Sequence, residues 1–263
     1  MKAVQIFPGS EGGRLQIVDV PTPVPADGEV LVRVRASGLN RGEINMVRRA
    51  RSGVPITAGV EFAGEVAALG AGVQDWQPGD RVVGHGSGGQ AEYVVANPLA
   101  LMRIPNALPW TKAAAFPNVF ITAHDALVTN GQLKRGETVL VNAASSGIGL
   151  AAIQIAKALG AGMVIATSRS AAKIQKLKQL GVEHAIDISK QGQVEAVMAL
   201  TGNRGVDIII DSVGGTVFEA NLDSLAVQGR LINIGRLGSS TATINLEQLW
   251  LKRLKLIGVT FYA

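Results

Sequence analysis

The chain has 263 residues, 47% hydrophobic and 17% charged, which supports a globular core in one or two domains and excludes a disordered or fibrous protein. Its net charge of +5 comes from scattered Lys and Arg with only 4% aromatics, and without an aromatic-rich or Arg-rich motif this argues against a nucleic-acid partner. Having no cysteine, the chain excludes disulfides, thiolate zinc sites and a cysteine nucleophile, and having no apolar run near the roughly 18 residues of a membrane span or any export segment, it is expected in the cytoplasm without a membrane partner.

All ten prolines lie between Pro8 and Pro117, separated by short β-branched runs. Residues 29–35 (EVLVRVR) and 81–83 read as strands, with turns at Gly79-Asp80 and Gly88-Gly89. This half is predicted to be β-rich. Beyond Pro117 apolar strands alternate with helices, the pattern of βαβ units around a parallel sheet, which puts the boundary near 118–125. The strands are predicted at 138–142 (TVLVN), 163–167 (MVIAT), 184–188, 206–211 (VDIIID), 230–234 (RLINI) and 255–261 (KLIGVTF). Helices are predicted over 147–159, from an N-cap at Ser170 to Leu180 with Gly181 just past its end, around 216–225 and over 246–251. Six such strands make a complete Rossmann sheet.

The turn after the first of these strands reads Ala143-Ala144-Ser145-Ser146-Gly147-Ile148-Gly149. Ala144 and Ser146 replace the first two glycines of a G-x-G-x-x-G fingerprint, and Gly149 keeps the third place. Small residues still let backbone amides approach a pyrophosphate at a helix N-terminus, where the peptide dipoles favour negative charge. About twenty residues further on, where an acid would meet ribose hydroxyls, stand Thr167-Ser168-Arg169-Ser170, with Lys173 one turn later. Two cations and two hydroxyls suit a 2′-phosphate that an acid would repel, so NADP(H) is the expected coenzyme.

The three histidines, His85, His124 and His184, lie far apart in sequence and lack ligand spacing, so no metal site is expected.

Taken together, Gly38-Leu39-Asn40-Arg41, residues 59–64 (GVEFAG), 78–82 (PGDRV) and 88–93 (GGQAEY), Pro117 through Thr122-Ala123, the turn at 143–149, residues 211–215 (DSVGG) and Gly229-Arg230-Leu231 resemble a zinc-lacking medium-chain dehydrogenase/reductase of the NADPH:quinone oxidoreductase type. The resemblance implies a GroES-like substrate domain over 1–120 and a Rossmann NADP(H)-binding domain over 121–263. Zinc-dependent relatives carry cysteine where Asn40 stands and histidine where Val60 stands. It implies that Thr122 orients the nicotinamide and that Asn40 lies near nicotinamide and acceptor. Ala144, Ser145, Ser146, Gly147, Ile148 and Gly149 would cradle the pyrophosphate, Ser168, Arg169 and Lys173 would take the 2′-phosphate ribose, and Val213, Ile234 and Gly235 would follow the cofactor past the fourth and fifth strands.

The chain departs from the family at Ile188, where a tyrosine commonly lies near the adenosine phosphate, and at Glu43, which replaces an aspartate. No tyrosine stands near 45–53, which leaves protonation to solvent. Relatives continue for roughly another 60 residues past the sixth strand, so the first domain is expected to lack its closing elements, an extent in keeping with ordinary domain sizes. With that domain open, this chain is expected to bind NADPH but to reduce quinones slowly. Strand 255–261 is expected to pair with its copy in a homodimer. The implied activity is hydride transfer from NADPH to a quinone or another α,β-unsaturated carbonyl. The alternatives are an enoyl thioester reductase and a non-catalytic NADPH-binding relative with a regulatory or RNA-binding role.

Overall fold

A computed structural model describes residues 1–260. The chain packs as two units, divided between Asn118 and Val119.

In the first unit, β1 (Lys2–Phe7), β2 (Arg14–Asp19), β3 (Val30–Ser37), helix α1 (Arg41–Arg49), β4 (Ile56–Thr57), β5 (Glu61–Leu69), β6 (Arg81–His85), β7 (Tyr93–Ala96), β8 (Leu101–Arg103) and the short α2 (Trp110–Ala114) follow in order. Five strands form an antiparallel sheet in the order β7-β3-β5-β6-β8, and β2-β1-β4 form a smaller one. The alternation in β3 explains its place: Val30 and Val32 join Phe62, Val66, Val82, Val94 and Leu101 in the core, while Arg33 and Arg35 face water. His85 closes β6.

Helix α3 (Pro117–His124) carries the chain into the second unit and ends in a wide turn over Asp125–Asn130, where the Gly131 N–H reaches the Ala126 carbonyl at 2.8 Å. There follow β9 (Thr138–Val141), α4 (Gly147–Ala158), β10 (Met163–Ser168), α5 (Ala171–Gln179), β11 (His184–Asp187), α6 (Gln193–Leu200), β12 (Val206–Asp211), α7 (Phe218–Ser224), β13 (Leu225–Asn233), α8 (Leu246–Leu251) and β14 (Lys255–Gly258). The six strands form one parallel sheet in the order β11-β10-β9-β12-β13-β14, the doubly wound Rossmann order. Both faces are covered, so the central strands carry near-continuous apolar runs, with polar residues such as Thr167, Ser168 and Asp211 at their C-terminal ends. Val139, Val141, Ile208 and Ile210 pack on one side with Ala151, Ala152 and Ala156 of α4. Leu140, Ile165, Ile209 and Leu231 pack on the other with Val197 of α6 and Leu222 of α7. The small alanine side chains let α4 lie close to the sheet along its middle and C-terminal turns.

Three sequence expectations need correction. The helix expected over 216–225 is a single tight turn at Gly215–Val217 followed by α7, and Leu225 opens β13 instead, because this fully buried side chain pairs beside Val206. The strand expected at 230–234 therefore begins five residues earlier, across an irregularity at Gln228, which holds φ 64°. Ser170 occupies the N-cap position of α5, but its hydroxyl makes no capping bond. The last strand is described as Lys255–Gly258, and Phe261 lies outside the described residues.

Candidate functional site

The turn from β9 to α4 is built by its own hydrogen bonds. Ala143 takes the left-handed conformation at φ 48°, a strain of about 1–2 kcal/mol for a residue with a Cβ. The turn is closed by Ser146 N–H to Ala143 carbonyl (2.9 Å), and tied to the next strand by Ala144 N–H to Thr167 carbonyl (3.0 Å). Ser146 caps α4, its hydroxyl accepting from Gly149 N–H at 3.2 Å. The first-turn amides of Gly147 and Ile148 have no partner within the helix, as at any helix N-terminus, and are donors of the kind an anion can take. Gly149 is fixed by contact: a Cβ there would stand 2.6 Å from the Ala144 backbone. Val119 of α3 flanks the turn, 3.3 Å from where a Gly147 Cβ would be. Thr122, one turn further along α3, is half-buried and does not line the cavity beside this turn.

That cavity, about 620 Å³, opens at the C-terminal ends of β9, β10 and β12, the place where doubly wound sheets bind ligands, and its volume is within the range of small-molecule sites. Of the residues expected from sequence, Ser145, Ser168, Arg169, Lys173 and Val213 line it, and Ile188 does too. Ala144, Ser146, Gly147, Ile148 and Gly149 form the adjoining turn without lining it. The lining holds no Asp or Glu. Arg169 and Lys173 are exposed, and neither makes an ion pair among the described residues.

The turn after β12 is held by Asp211, whose carboxyl accepts from the N–H groups of Val213 (2.8 Å) and Gly214 (3.1 Å). Burial pushes the Asp211 carboxyl above its ordinary range, against these two amides and the side chains of Asn142 and Asn233. Ile234 donates its N–H to the Asp211 carbonyl at 2.8 Å, and Gly235 accepts from Asn233 Nδ2 at 2.9 Å. These two residues brace the turn that carries Val213 and are not in the cavity lining.

Sequence reasoning missed a buried polar cluster at the same strand ends. Thr167 Oγ1 donates to Asn142 Oδ1 at 2.9 Å, and Asn142 Nδ2 donates to Asn221 Oδ1 at 2.7 Å. Gln193 Nε2 donates to the same Asn221 oxygen at 2.9 Å and to Ser224 Oγ at 3.4 Å. The signal available in sequence was polarity where the helix and strand pattern calls for apolar side chains, as at Gln193 and Asn221.

Asn40 belongs to the first unit. Its N–H donates to Glu43 Oε2 at 2.6 Å, its Nδ2 to Glu61 Oε1 at 2.7 Å, and its Oδ1 accepts from Asn118 Nδ2 at 2.6 Å. Glu61 is 2% exposed and also accepts from Asn118 N–H at 2.8 Å. Gln90 Nε2 donates to Glu43 Oε1 at 3.2 Å. Burial raises the Glu43 carboxyl, opposed by the amides of Asn40 and Val60 and reinforced by Glu61. Both polar ends of the Asn40 amide are thus committed to neighbours within this unit. His85 ends β6, His124 ends α3 and His184 begins β11. Among the described residues, no three His, Asp or Glu side chains gather as metal ligands, and no helix is long and apolar enough to cross a membrane.

Comparison with known proteins matches both units. Residues 26–106 match the family described as alcohol dehydrogenase GroES-like domain, and residues 147–263 the family described as zinc-binding dehydrogenase. The chain is 36% identical over 248 residues to quinone oxidoreductase-like protein 2 of Bos taurus, covering 92% of this chain and 71% of that protein. It is 32% identical over 274 residues to quinone oxidoreductase of Homo sapiens, covering all of this chain and 81% of that one. Among solved structures, mycobacterial Rv1454c complexed with NADPH superposes with a TM-score of 0.87 at 31% identity, over 99% of this chain and 82% of that one. With the fold, the strand-end cavity and relatives of this identity agreeing over nearly its whole length, the chain belongs to the medium-chain dehydrogenase/reductase family.

Proposed function

We propose that the chain is an NADPH-dependent oxidoreductase that reduces a quinone or another α,β-unsaturated carbonyl without a metal. One observation carries the coenzyme choice: the cavity lining has Arg169 and Lys173 and no carboxyl group, beside the capped N-terminus of α4. The residues fit the dinucleotide in kind, with first-turn amides for a pyrophosphate, two cations with Ser168 for a phosphorylated ribose, and apolar side chains for a base. The NADPH complex of the mycobacterial relative supports the same reading. When bound, NADPH would supply a hydride for an electron-poor carbon. The chain's part is to hold and orient: Ser145 to Gly149 fix the pyrophosphate, Val213 on its braced turn limits the path of the ligand, and Thr122 orients the nicotinamide. Asn40, fixed by Glu61 and Asn118, presents a set position rather than a titrating group, so the proton that completes reduction comes from solvent.

Titration of purified protein with NADPH and NADH, followed by nicotinamide fluorescence, tests this. NADPH should bind more tightly by about 1–3 kcal/mol, tens-fold, from charge-assisted bonds. Lys173→Ala should remove most of that preference and leave NADH binding nearly unchanged; equal affinities in the wild type would refute the reading. NADPH oxidation should follow quinones and enones in preference to enoyl thioesters, and should survive strong chelators.

The same reading includes a homodimer formed through the segment 255–261, of which residues 255–258 are described as strand. Its first four residues, β14, form one edge of the parallel sheet, with Leu256 40% exposed, and a bare apolar edge invites a copy of itself. Ile257→Lys should convert the dimer to monomer by light scattering at micromolar concentration; a wild-type monomer there would count against the pairing.

A further inference from the structure

Gln193, the first residue of α6, is 6% exposed and lines the strand-end cavity. Its Nε2 is used twice, on Asn221 Oδ1 and Ser224 Oγ, while its Oε1 is shut off from water and has no partner. A buried amide oxygen without a donor is costly, and a leucine of similar size would carry no such penalty. The cluster dictates which end is left over. The Thr167 hydroxyl gives its proton to Asn142 Oδ1, so Asn142 turns Nδ2 towards Asn221 Oδ1. Reversing the Gln193 amide would then set two amide oxygens against each other. What Gln193 can still offer is therefore an acceptor.

The chemistry around it narrows the donor. Arg169 and Lys173 line one part of the cavity and take a phosphorylated ribose, so the base attached to that ribose enters the same cavity. Ile188, Val213, Val217 and Ala220 in the lining provide apolar surface for a flat heterocycle. The base of the coenzyme that the cations point to is adenine, and its exocyclic amine brings an N–H that an amide oxygen can accept.

We propose that Gln193 is the base-reading residue of the coenzyme site, its Oε1 accepting from the adenine amine so that the site selects adenine over hypoxanthine dinucleotides. The terminal torsion of glutamine is broad, so a partial turn, short of the reversal that the cluster excludes, would bring Oε1 to the ligand. This rests on the NADPH reading and adds to it which part of the ligand is discriminated, and by which atom.

The test compares binding of NADPH with that of reduced nicotinamide hypoxanthine dinucleotide phosphate, in which a carbonyl replaces the amine. Wild-type protein should bind the hypoxanthine form at least about tenfold more weakly, since acceptor then meets acceptor. Gln193→Leu should bring the two within about twofold of each other, with a melting temperature no lower than wild type, because the orphaned oxygen is gone. The wild-type comparison stands even if that variant folds poorly. Equal wild-type affinities, as expected if a trapped water satisfies Oε1, overturn the proposal and leave the NADPH reading intact. Failure to bind either dinucleotide overturns both.

Discussion

Each unit holds a cluster of linked polar side chains, half-buried around the buried Glu61 in the first and buried throughout in the second, and the two are finished to different degrees. In the first unit, Asn40, Glu43, Glu61, Gln90 and Asn118 are joined by bonds of 2.6–3.2 Å, and none of their water-excluded atoms lacks a partner. In the second, Asn142, Thr167, Gln193, Asn221 and Ser224 are as closely joined, yet Gln193 Oε1 and Asn221 Nδ2 remain single. The closed cluster ties the start of α1 to β5 and to the start of α3, work that a framework needs whether or not a ligand is present. The open cluster contributes Asn142, Thr167 and Gln193 to a cavity. Linked polar groups are therefore not by themselves a reason to look for a ligand; unused bonding capacity beside a cavity is.

The contrast can be broken most severely at Glu61. Glu61→Ala would leave Asn40 Nδ2 and Asn118 N–H without their two acceptors, at a cost of about 3 kcal/mol, while Glu61→Gln, which keeps one acceptor and turns an NH2 towards the other donor, should lose less. The midpoint of urea unfolding measures both. A smaller loss is expected at Asn221→Ala, about 2 kcal/mol, because the bonds it breaks are between neutral groups. NADPH affinity should fall in this variant and not in Glu61→Gln, which separates the open cluster from the closed one.

The smallest effect concerns pH and sharpens the comparison, because two members of the closed cluster are carboxylic acids, whereas the open one meets a carboxyl only where Asn142 touches Asp211. Burial raises the Glu43 carboxyl in the folded chain, so the folded state holds its proton more tightly than the unfolded state does. Stability from this group is greatest below the ordinary glutamate value and falls as pH rises through the raised one. Glu43→Gln should flatten that decline by roughly a few tenths of a kcal/mol, given the partial exposure of the side chain. Thermal melts across the weakly acidic range would show the two curves converging at low pH.

Much of the second unit could be read locally. The runs around Val139, Ile165 and Ile209 are apolar because both faces of the sheet are covered, and Gly160 and Gly181 end their helices at φ 82° and 77°. The place of the turn from β9 to α4 and of the two cations beside the cavity was legible for the same reason, since a strand, a small-residue turn and a helix are contiguous in sequence. The clusters were not. Asn40 meets Asn118 across 78 positions and Asn142 meets Asn221 across 79, separations at which no periodicity operates. Leu225 was misjudged because a fully buried leucine suits a helix end and a strand start equally well, and only its pairing beside Val206 decides. The commitment of both Asn40 amide ends likewise follows from tertiary contacts alone.

Gly149 has a consequence for how such chains are sorted by sequence. The first helix of the sheet sits so near Ala144 that any side chain at this position meets backbone. Selection for folding alone would preserve the residue, even in a descendant that had ceased to bind a dinucleotide. The last glycine of the fingerprint thus reports architecture, and pseudoenzymes of this lineage should retain it. Arg169, Lys173 and Gln193, whose identities serve no packing need of that kind, are where loss of the proposed coenzyme site would first be written.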